Sequence, residues 1–175
     1  GNNDVKTSSG NDSVQIKAGM NIVDTGADND TVTITGGTNR IITSGGADTI
    51  SASSGTNNFD LGAGDDTISL TGGINHVTAG AGNDEVTAAG GASNIDIRTL
   101  TGGAGNDRLN IISTGTVTLP TFTEFEEVFI SDTVHQSLNF SLSSNLTEIE
   151  LDSGTTIDGS TITTTLGPGQ RLTLD

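Results

Sequence analysis

The chain has 175 residues and a formal net charge of −16, because 22 acidic side chains stand against 6 basic ones. Nucleic acid is therefore not an expected partner, since phosphate contacts need clustered cations. The absence of Cys excludes disulfides and thiolate metal sites, and no apolar run approaches the length of a membrane-spanning helix, about 20 residues.

Polar residues recur at a fixed spacing from the N-terminus onward. Aspartates follow one another every 18 residues, at Asp12, Asp30, Asp48, Asp66 and Asp84. Midway between them lie Asn3, Asn21, Asn39, Asn57 and Asn75, which we call the amide column. The unit is therefore nine residues long, and two units make one period. Because GNNDVKT (1–7) already lies in this register, we expect the chain to be part of a longer protein.

Apolar residues occur two places after each polar residue of the repeat, and a second column, mostly apolar but with Thr25 and Thr43, follows two places further on. The first such column contains Val14, Val32, Ile50, Ile68, Val86 and Leu109 on the Asp half, and Val5, Val23, Ile41, Phe59, Val77 and Ile95 on the Asn half. A spacing of two is the alternation of a β-strand, so both columns face the same side. Each nonad is then a Gly-rich turn followed by a very short strand. We predict an all-β fold, a right-handed parallel β-roll or β-helix solenoid with two nonads, or 18 residues, per coil.

The register changes before the next aspartate of the series, Asp107, which follows Asp84 by 23 residues. We place the five extra residues near RTLTG (98–102), with Ser93 in the Asn place and Ile95 and Ile97 in the apolar columns. This break disfavours a site shared by Asp84 and Asp107. We call the six aspartates from Asp12 to Asp107 the acidic column.

The turn that precedes Asp107 carries a known motif. GGAGNDRLN (102–110) resembles the nonapeptide GGxGxDxUx of the RTX (repeats-in-toxin) proteins at every fixed position. LGAGDDTIS (61–69) and AGAGNDEVT (79–87) lack only the first Gly, whereas TGADNDTVT (25–33), TSGGADTIS (43–51) and the copy around Asp12 depart further. The resemblance covers residues 1–111, the first of two predicted segments.

The RTX resemblance implies several bound Ca²⁺ ions. It implies side-chain ligands at Asp12, Asp30, Asp48, Asp66, Asp84 and Asp107, with Asp28 and Asp65 as extra carboxylates. It also implies backbone carbonyl ligands at Gly10, Gly26, Gly45, Gly62, Gly64, Gly80, Gly82, Gly103 and Gly105. An all-oxygen shell suits Ca²⁺ better than Mg²⁺, which prefers octahedral sites with retained water. The alternative is that each Asp only forms an Asx-turn, but carboxylates stacked about 5 Å apart would repel one another without counter-ions.

The amide column departs from the family pattern, in which both edges of the roll bind ions. Stacked Asn side chains can hydrogen-bond along the stack without any cation. We therefore expect calcium along the Asp edge only.

Residues 112–175 form the second predicted segment, a C-terminal β-helical continuation or cap. FEEVFIS (125–131) and LTEIELD (146–152) align with an offset of 21 residues. SLNFSLS (137–143), TTIDGSTITTTL (155–166) and QRLTLD (170–175) also alternate apolar and polar residues. We interpret these segments as wider, metal-free β-helical coils of the same stack, with a small separate sandwich as the alternative.

Catalytic groups are not evident in the sequence. Glu124, Glu126 and Glu127 could form an acid/base set, but strand alternation favours a solvated face for Glu124 and Glu126. His76 and His135 have no obvious Ser/Asp partners, and none of the common catalytic motifs is present. We do not expect an enzyme.

The composition, which is acidic, poor in aromatic residues and free of Cys, resembles that of RTX-type surface-layer proteins. This resemblance implies a secreted protein at the surface of a Gram-negative bacterium, exported by type I secretion, in which calcium drives folding and self-association into a lattice. The alternative is a calcium-binding RTX module of an adhesin, a toxin or a secreted polysaccharide-modifying enzyme. Cell-surface polysaccharide is a further candidate partner, although the absence of Trp and Tyr disfavours sugar stacking.

Overall fold

The structure, a computed structural model, describes residues 1–91, 94–112, 117–118, 122–131, 146–151 and 171–174. Within these ranges it is a β-solenoid of about seven coils, made of two sheets in which every pair of neighbouring strands is parallel. The first sheet contains β1 (Asn2–Lys6), β3 (Met20–Asp24), β5 (Thr38–Ile42), β7 (Thr56–Ala63), β9 (Gly73–Ala81), β11 (Ile95–Ala104) and β13 (Val117–Thr118). The second contains β2 (Ser13–Ile16), β4 (Thr31–Ile34), β6 (Thr49–Ala52), β8 (Thr67–Leu70), β10 (Glu85–Ala88), β12 (Arg108–Ile111), β14 (Glu127–Ile130), β15 (Glu148–Leu151) and β16 (Arg171–Leu174). The predicted parallel β-solenoid is thereby confirmed.

The strands stack in the register that the repeat predicts. Val32 of β4 pairs with Val14 of β2 on one side and with Ile50 of β6 on the other, each one coil away. Alternate residues of each strand point inward, so that Val32 and Ile34 are fully buried between the two sheets. Such short strands satisfy their backbone groups only through the neighbouring coils, and the β-branched residues that fill them pack well on a pleated surface.

The break in register lies earlier than the sequence analysis placed it. Ile95 pairs with Gly73 and Ile97 with Asn75, an offset four residues longer than the period of the repeat, and a bulge at Arg98 then brings Leu100 opposite Val77. Four extra residues therefore enter before Ile95 and only one enters near RTLTG. The placement of Ile95 and Ile97 in the columns of Val77 and Ala79 was wrong. The predicted Asn place at Ser93 lies outside the described residues.

The rearrangement keeps the core continuous. Leu100 takes the inward place beside Val77, and Ile95 and Ile97 stay buried at their new positions. Ile97 now follows Asn75 along the edge of the stack, so the amide column ends there against an apolar side chain.

Beyond residue 111, β13 continues the first sheet, and β14, β15 and β16 continue the second. Arg108 pairs with Glu127, Glu127 with Glu148 and Glu148 with Arg171, so these coils are longer than those of the nonad region. Val128 pairs with Ile149, as the offset of 21 residues predicts. Because β14, β15 and β16 extend the same parallel sheet, they have the arrangement expected of wider coils and not that of a separate sandwich. The segments 137–143 and 155–166, and His135, lie outside the described residues.

In the part of the chain that the structure describes, no helix has the length and apolar character needed to cross a membrane.

Candidate metal sites along the acidic edge

The turns before each aspartate of the acidic column share an unusual backbone. Counting the nonad from its first position, residues two and four of the five copies from Asp30 to Asp107 have left-handed backbone, with φ between 100° and 147° where the residue is Gly; in the copy before Asp12 only Gly10, at position four, does. Ser44 and Asp28 occupy these places in two copies, and there φ falls to 68° and 77°. Side chains tolerate left-handed backbone only near such lower values. The last three copies, which have Gly at both places, are therefore the most regular turns.

Glycine also allows the turns to stack closely. A methyl group on Gly64 would lie 2.0 Å from the Gly46 carbonyl oxygen, and one on Gly82 would lie 2.1 Å from that of Gly64. Only Gly permits such an approach of one backbone to the next. The predicted carbonyl ligands fall on these stacked turns: Gly26, Gly62, Gly80 and Gly103 at position two, Gly45 at position three, and Gly10, Gly64, Gly82 and Gly105 at position four.

The acidic column is a continuous hydrogen-bonded ladder. The backbone N–H of each aspartate donates to Oδ1 of the aspartate in the next coil, at N···O distances between 2.7 and 2.9 Å from Asp12 through to Asp107. The rung from Asp84 to Asp107 has the same geometry as the others, although the chain between them is five residues longer. The register break therefore leaves Asp84 and Asp107 on successive rungs, because four extra residues enter before β11 and one enters at the bulge at Arg98. That the break disfavours a metal site shared by the two stays a prediction.

The second carboxylate oxygen of every rung from Asp30 to Asp107 is buried without a partner. Asp30, Asp48, Asp66, Asp84 and Asp107 are at most 2% exposed. In every one of them Oδ2 makes no hydrogen bond. Burying an ionised oxygen without a partner is costly, so this row of orphaned acceptors fits a set of cations. Oxygen donors of this kind, carboxylate and carbonyl, are those that Ca²⁺ takes.

The electrostatics of the column point the same way. Burial raises the pKa of Asp66 to about 7, and the charges of Asp48, Asp84 and Asp65 add to that rise. Burial likewise raises the pKa of Asp107 to about 6, helped by Asp84, Glu126 and Glu124. The pKa values of Asp48 and Asp84 are raised for the same first reason. A cation beside Oδ2 would remove this penalty.

Side chains alone do not complete a site. Among the described residues, no three His, Asp or Glu side chains come together in a geometry that could hold a metal ion. Two stacked carboxylates supply only part of the six to eight ligands that Ca²⁺ takes. Backbone carbonyls of the glycine turns would therefore have to provide the remainder, which is the ligand set that the resemblance implies.

Asp28 and Asp65, the two extra carboxylates of the prediction, lie outside the buried column. Asp28 is exposed, and its Oδ2 accepts a hydrogen bond from the Gly10 N–H at 3.0 Å. Asp65 is exposed as well, and its Oδ1 accepts one from the Asn83 N–H at 2.7 Å. Both therefore tie neighbouring turns together, and Asp65 also adds negative charge near Asp66.

The opposite edge is saturated without any cation. Nδ2 of each Asn donates to Oδ1 of the next, at distances between 2.7 and 2.9 Å from Asn3 to Asn75. From Asn21 onward, Nδ2 also donates to a carbonyl three residues earlier, such as Gly36 O for Asn39 at 3.2 Å. The predicted amide ladder is confirmed, and it contains no orphaned oxygen comparable to those of the acidic column.

Sequence reasoning missed one member of the acidic edge. The N–H of Asp107 donates to Glu126 Oε2 at 2.7 Å, so Glu126 occupies the next rung although no nonad surrounds it. The prediction that Glu124 and Glu126 share a strand face is wrong, because both precede β14 and Glu124 has left-handed backbone, with φ of 60°. A match of FEEVFI (125–130) to NDRLNI (106–111), at an offset of 19 residues, could have revealed the rung, since it places Glu126 opposite Asp107.

Comparison with known proteins identifies the turns of the acidic column as repeats of a known family. The sequence profile of a family described as RTX calcium-binding nonapeptide repeat (4 copies) matches residues 33–68, 62–95 and 99–110, which include the turns of Asp48, Asp66, Asp84 and Asp107. No curated protein and no solved structure matches the chain. Repeats of this family bind calcium and occur in secreted bacterial proteins.

Proposed function

Because the chain carries RTX calcium-binding nonapeptide repeats, we propose that it is a calcium-binding structural segment of an extracellular bacterial protein. The observation that carries this proposal is the row of buried, unpartnered Oδ2 atoms along the acidic column. A column of buried carboxylates needs positive charge between its rungs. In the described part of the chain no salt bridge reaches these aspartates, since Lys6, Arg98 and Arg108 pair with other acidic side chains.

Calcium supplies that charge when bound, and the chain's own groups supply the frame. Oδ1 of each aspartate already holds the neighbouring backbone N–H, so the carboxylate is oriented before any ion arrives. Oδ2 is left as the ligand. Metal binding then adds to the free energy of folding, because the stacked carboxylates are less favourable without it.

Binding is proposed for one edge only. The amide ladder of Asn21, Asn39 and Asn57 satisfies its own donors and acceptors, which removes the need for ions there. This edge would hold the coils in register while the opposite edge responds to calcium. The segment would thus differ from a roll that is metallated on both sides.

The test is far-ultraviolet circular dichroism of the chain in EDTA, followed by a calcium titration. We expect the β-sheet signal to be weak or thermally labile in EDTA and to rise cooperatively with calcium. A matched titration with Mg²⁺ controls for non-specific neutralisation of charge. A β-sheet signal and melting temperature that ignore both chelation and calcium would overturn the proposal.

The finer proposal is a non-enzymatic role in a surface layer or extracellular matrix of a Gram-negative bacterium, with export by type I secretion. An acidic composition with few aromatic residues and no Cys supports it. Calcium-dependent growth of ordered sheets, seen by electron microscopy and light scattering, is the expected result. A chain that binds calcium but stays monomeric and binds a polysaccharide would instead support the RTX module of an adhesin, a toxin or a polysaccharide-modifying enzyme.

A further inference from the structure

The acidic ladder continues past the last nonad, into the first wider coil. Glu126 accepts the N–H of Asp107 at 2.7 Å, as each aspartate accepts that of its predecessor. The matched repeats end at residue 110, so Glu126 belongs to no nonapeptide. The longer Glu side chain reaches the rung position from a coil that has lost the glycine turn.

Oxygen atoms of two successive coils lie close together beside this last rung. Asp107 is fully buried, and its Oδ2 has no hydrogen-bond partner. Gly102 occupies position one of this nonad, where the earlier copies have Thr, Leu or Ala. A methyl group on Gly102 would lie 2.6 Å from Asp107 Oδ2 and 1.9 Å from the Glu124 carbonyl oxygen. The Asp107 carboxylate and the Glu124 carbonyl, which come from successive coils, therefore lie close to one another beside Gly102.

The backbone of Glu124 is turned to make this arrangement. Its left-handed conformation, with φ of 60°, is uncommon for a residue with a side chain. Its carbonyl oxygen also accepts the Gly103 N–H at 3.3 Å, which places it at the junction between the two coils. A strained residue whose carbonyl faces an unpartnered buried carboxylate is consistent with a ligand position.

From this geometry we propose a terminal Ca²⁺ site at the junction, held by Asp107 Oδ2, the Glu126 carboxylate and the Glu124 carbonyl oxygen. It rests on the proposed calcium binding of the acidic column and extends it beyond the nonapeptides. Two carboxylates and a carbonyl are hard oxygen donors, and further carbonyls or waters would complete the six to eight ligands that Ca²⁺ takes. The site would fasten the first wider coil to the roll, so that calcium orders residues 122–131 as well as the nonads.

The experiment counts calcium ions per chain by native mass spectrometry and isothermal titration calorimetry, on the full chain in calcium excess. Glu126→Gln is expected to bind one ion fewer than the wild type. Glu127→Gln is the matched control, because it removes the same charge one residue away from an exposed side chain on β14, and it should keep the wild-type number.

The outcomes separate the two proposals. A wild-type number of ions in Glu126→Gln, or an equal loss in Glu127→Gln, would overturn the terminal site and leave calcium binding by the other rungs intact. A wild type that binds no calcium would overturn both. Should Glu126→Gln not fold, anomalous diffraction from calcium-grown wild-type crystals decides: a peak in contact with Asp107 Oδ2 and Glu126 supports the site, and its absence there overturns it.

Discussion

Replacing Asp66 with Asn separates the ligand role of the acidic column from its structural role. Asp66 lies in the middle of the ladder: its Oδ1 accepts the Asp48 N–H at 2.8 Å and its own N–H donates to Asp84 Oδ1 at 2.8 Å. Asn has almost the same shape and keeps an oxygen for the first of these bonds. It removes the negative charge and places an amide nitrogen where Oδ2 was.

The substitution is expected to change stability in opposite directions in the metal-free and in the calcium-bound protein. In the metal-free protein, burial raises the pKa of Asp66 from 3.8 to about 7. At a pH above that value, holding the carboxylate ionised costs about 4 kcal/mol of stability, which the neutral amide would avoid. A buried amide N–H group without a partner costs about 1 to 3 kcal/mol, which offsets part of this gain in stability. We expect Asp66→Asn to be more stable than the wild type without calcium, by about 1 to 3 kcal/mol.

In calcium the order reverses. The variant has lost the Oδ2 ligand that faces the rungs of Asp48 and Asp84, so we expect one or two fewer ions and a lower melting temperature than the wild type. Thermal unfolding followed by circular dichroism, in EDTA and in calcium, measures both states, and native mass spectrometry counts the ions. Asp60→Asn, an exposed position on β7, removes the same charge and should change either state by less than about 0.5 kcal/mol. A variant that is destabilised in EDTA and keeps the wild-type number of ions would refute the reasoning.

The amide edge, the glycine turns and the pH dependence each give a further prediction. Asn57→Ala removes three hydrogen bonds: those from Nδ2 to Asn75 Oδ1 and to Ser54 O, and the one that Oδ1 accepts from Asn39. We expect thermal unfolding to show a loss of stability of about 3 kcal/mol, with an unchanged number of calcium ions. A loss of ions would show that the amide edge also binds metal. Gly64→Ala places a methyl group 2.0 Å from Gly46 O at a φ of 127°, whereas in Gly10→Ala φ is 101° and no atom lies within 4 Å of the methyl group. Gly64→Ala should therefore weaken calcium affinity and stability far more than Gly10→Ala. Equal effects in the two variants would show that the close stacking of the turns does not require Gly. The raised pKa values of Asp66 and Asp107 let the folded state hold protons that the unfolded state has released. The melting temperature in EDTA should therefore fall as the pH rises from about 4 to about 7, while calcium affinity should rise over the same range. A metal-free melting temperature that rises with pH would contradict this prediction.

The periodic part of this molecule could be predicted from the sequence because its geometry is itself periodic. Once the strands are parallel and in register, residues one coil apart must stack, so Asp48 above Asp66 and Asn39 above Asn57 follow directly from the spacing. The inward places of Val32 and Ile34 follow from strand alternation in the same way.

The aperiodic features could not be predicted, for reasons that lie in packing. Extra residues between Asp84 and Asp107 could enter at any loop, and the preference for Leu100 beside Val77 depends on filling a core that the sequence does not display. Glu126 was missed because its coil lacks the glycine motif; only the match of its flanking residues to those of Asp107 signals this rung. The assignment of individual calcium ligands remains a prediction from the resemblance and from the orphaned Oδ2 atoms.

Anomalous diffraction from crystals grown in calcium tests the central claim most directly, because it locates the ions relative to both edges of the stack. We predict a row of peaks beside the Oδ2 atoms of Asp30 to Asp107, spaced by the coil separation of about 4.8 Å, and no peak along the ladder from Asn3 to Asn75. An acidic edge without peaks, or rows of equal strength on both edges, would contradict the account.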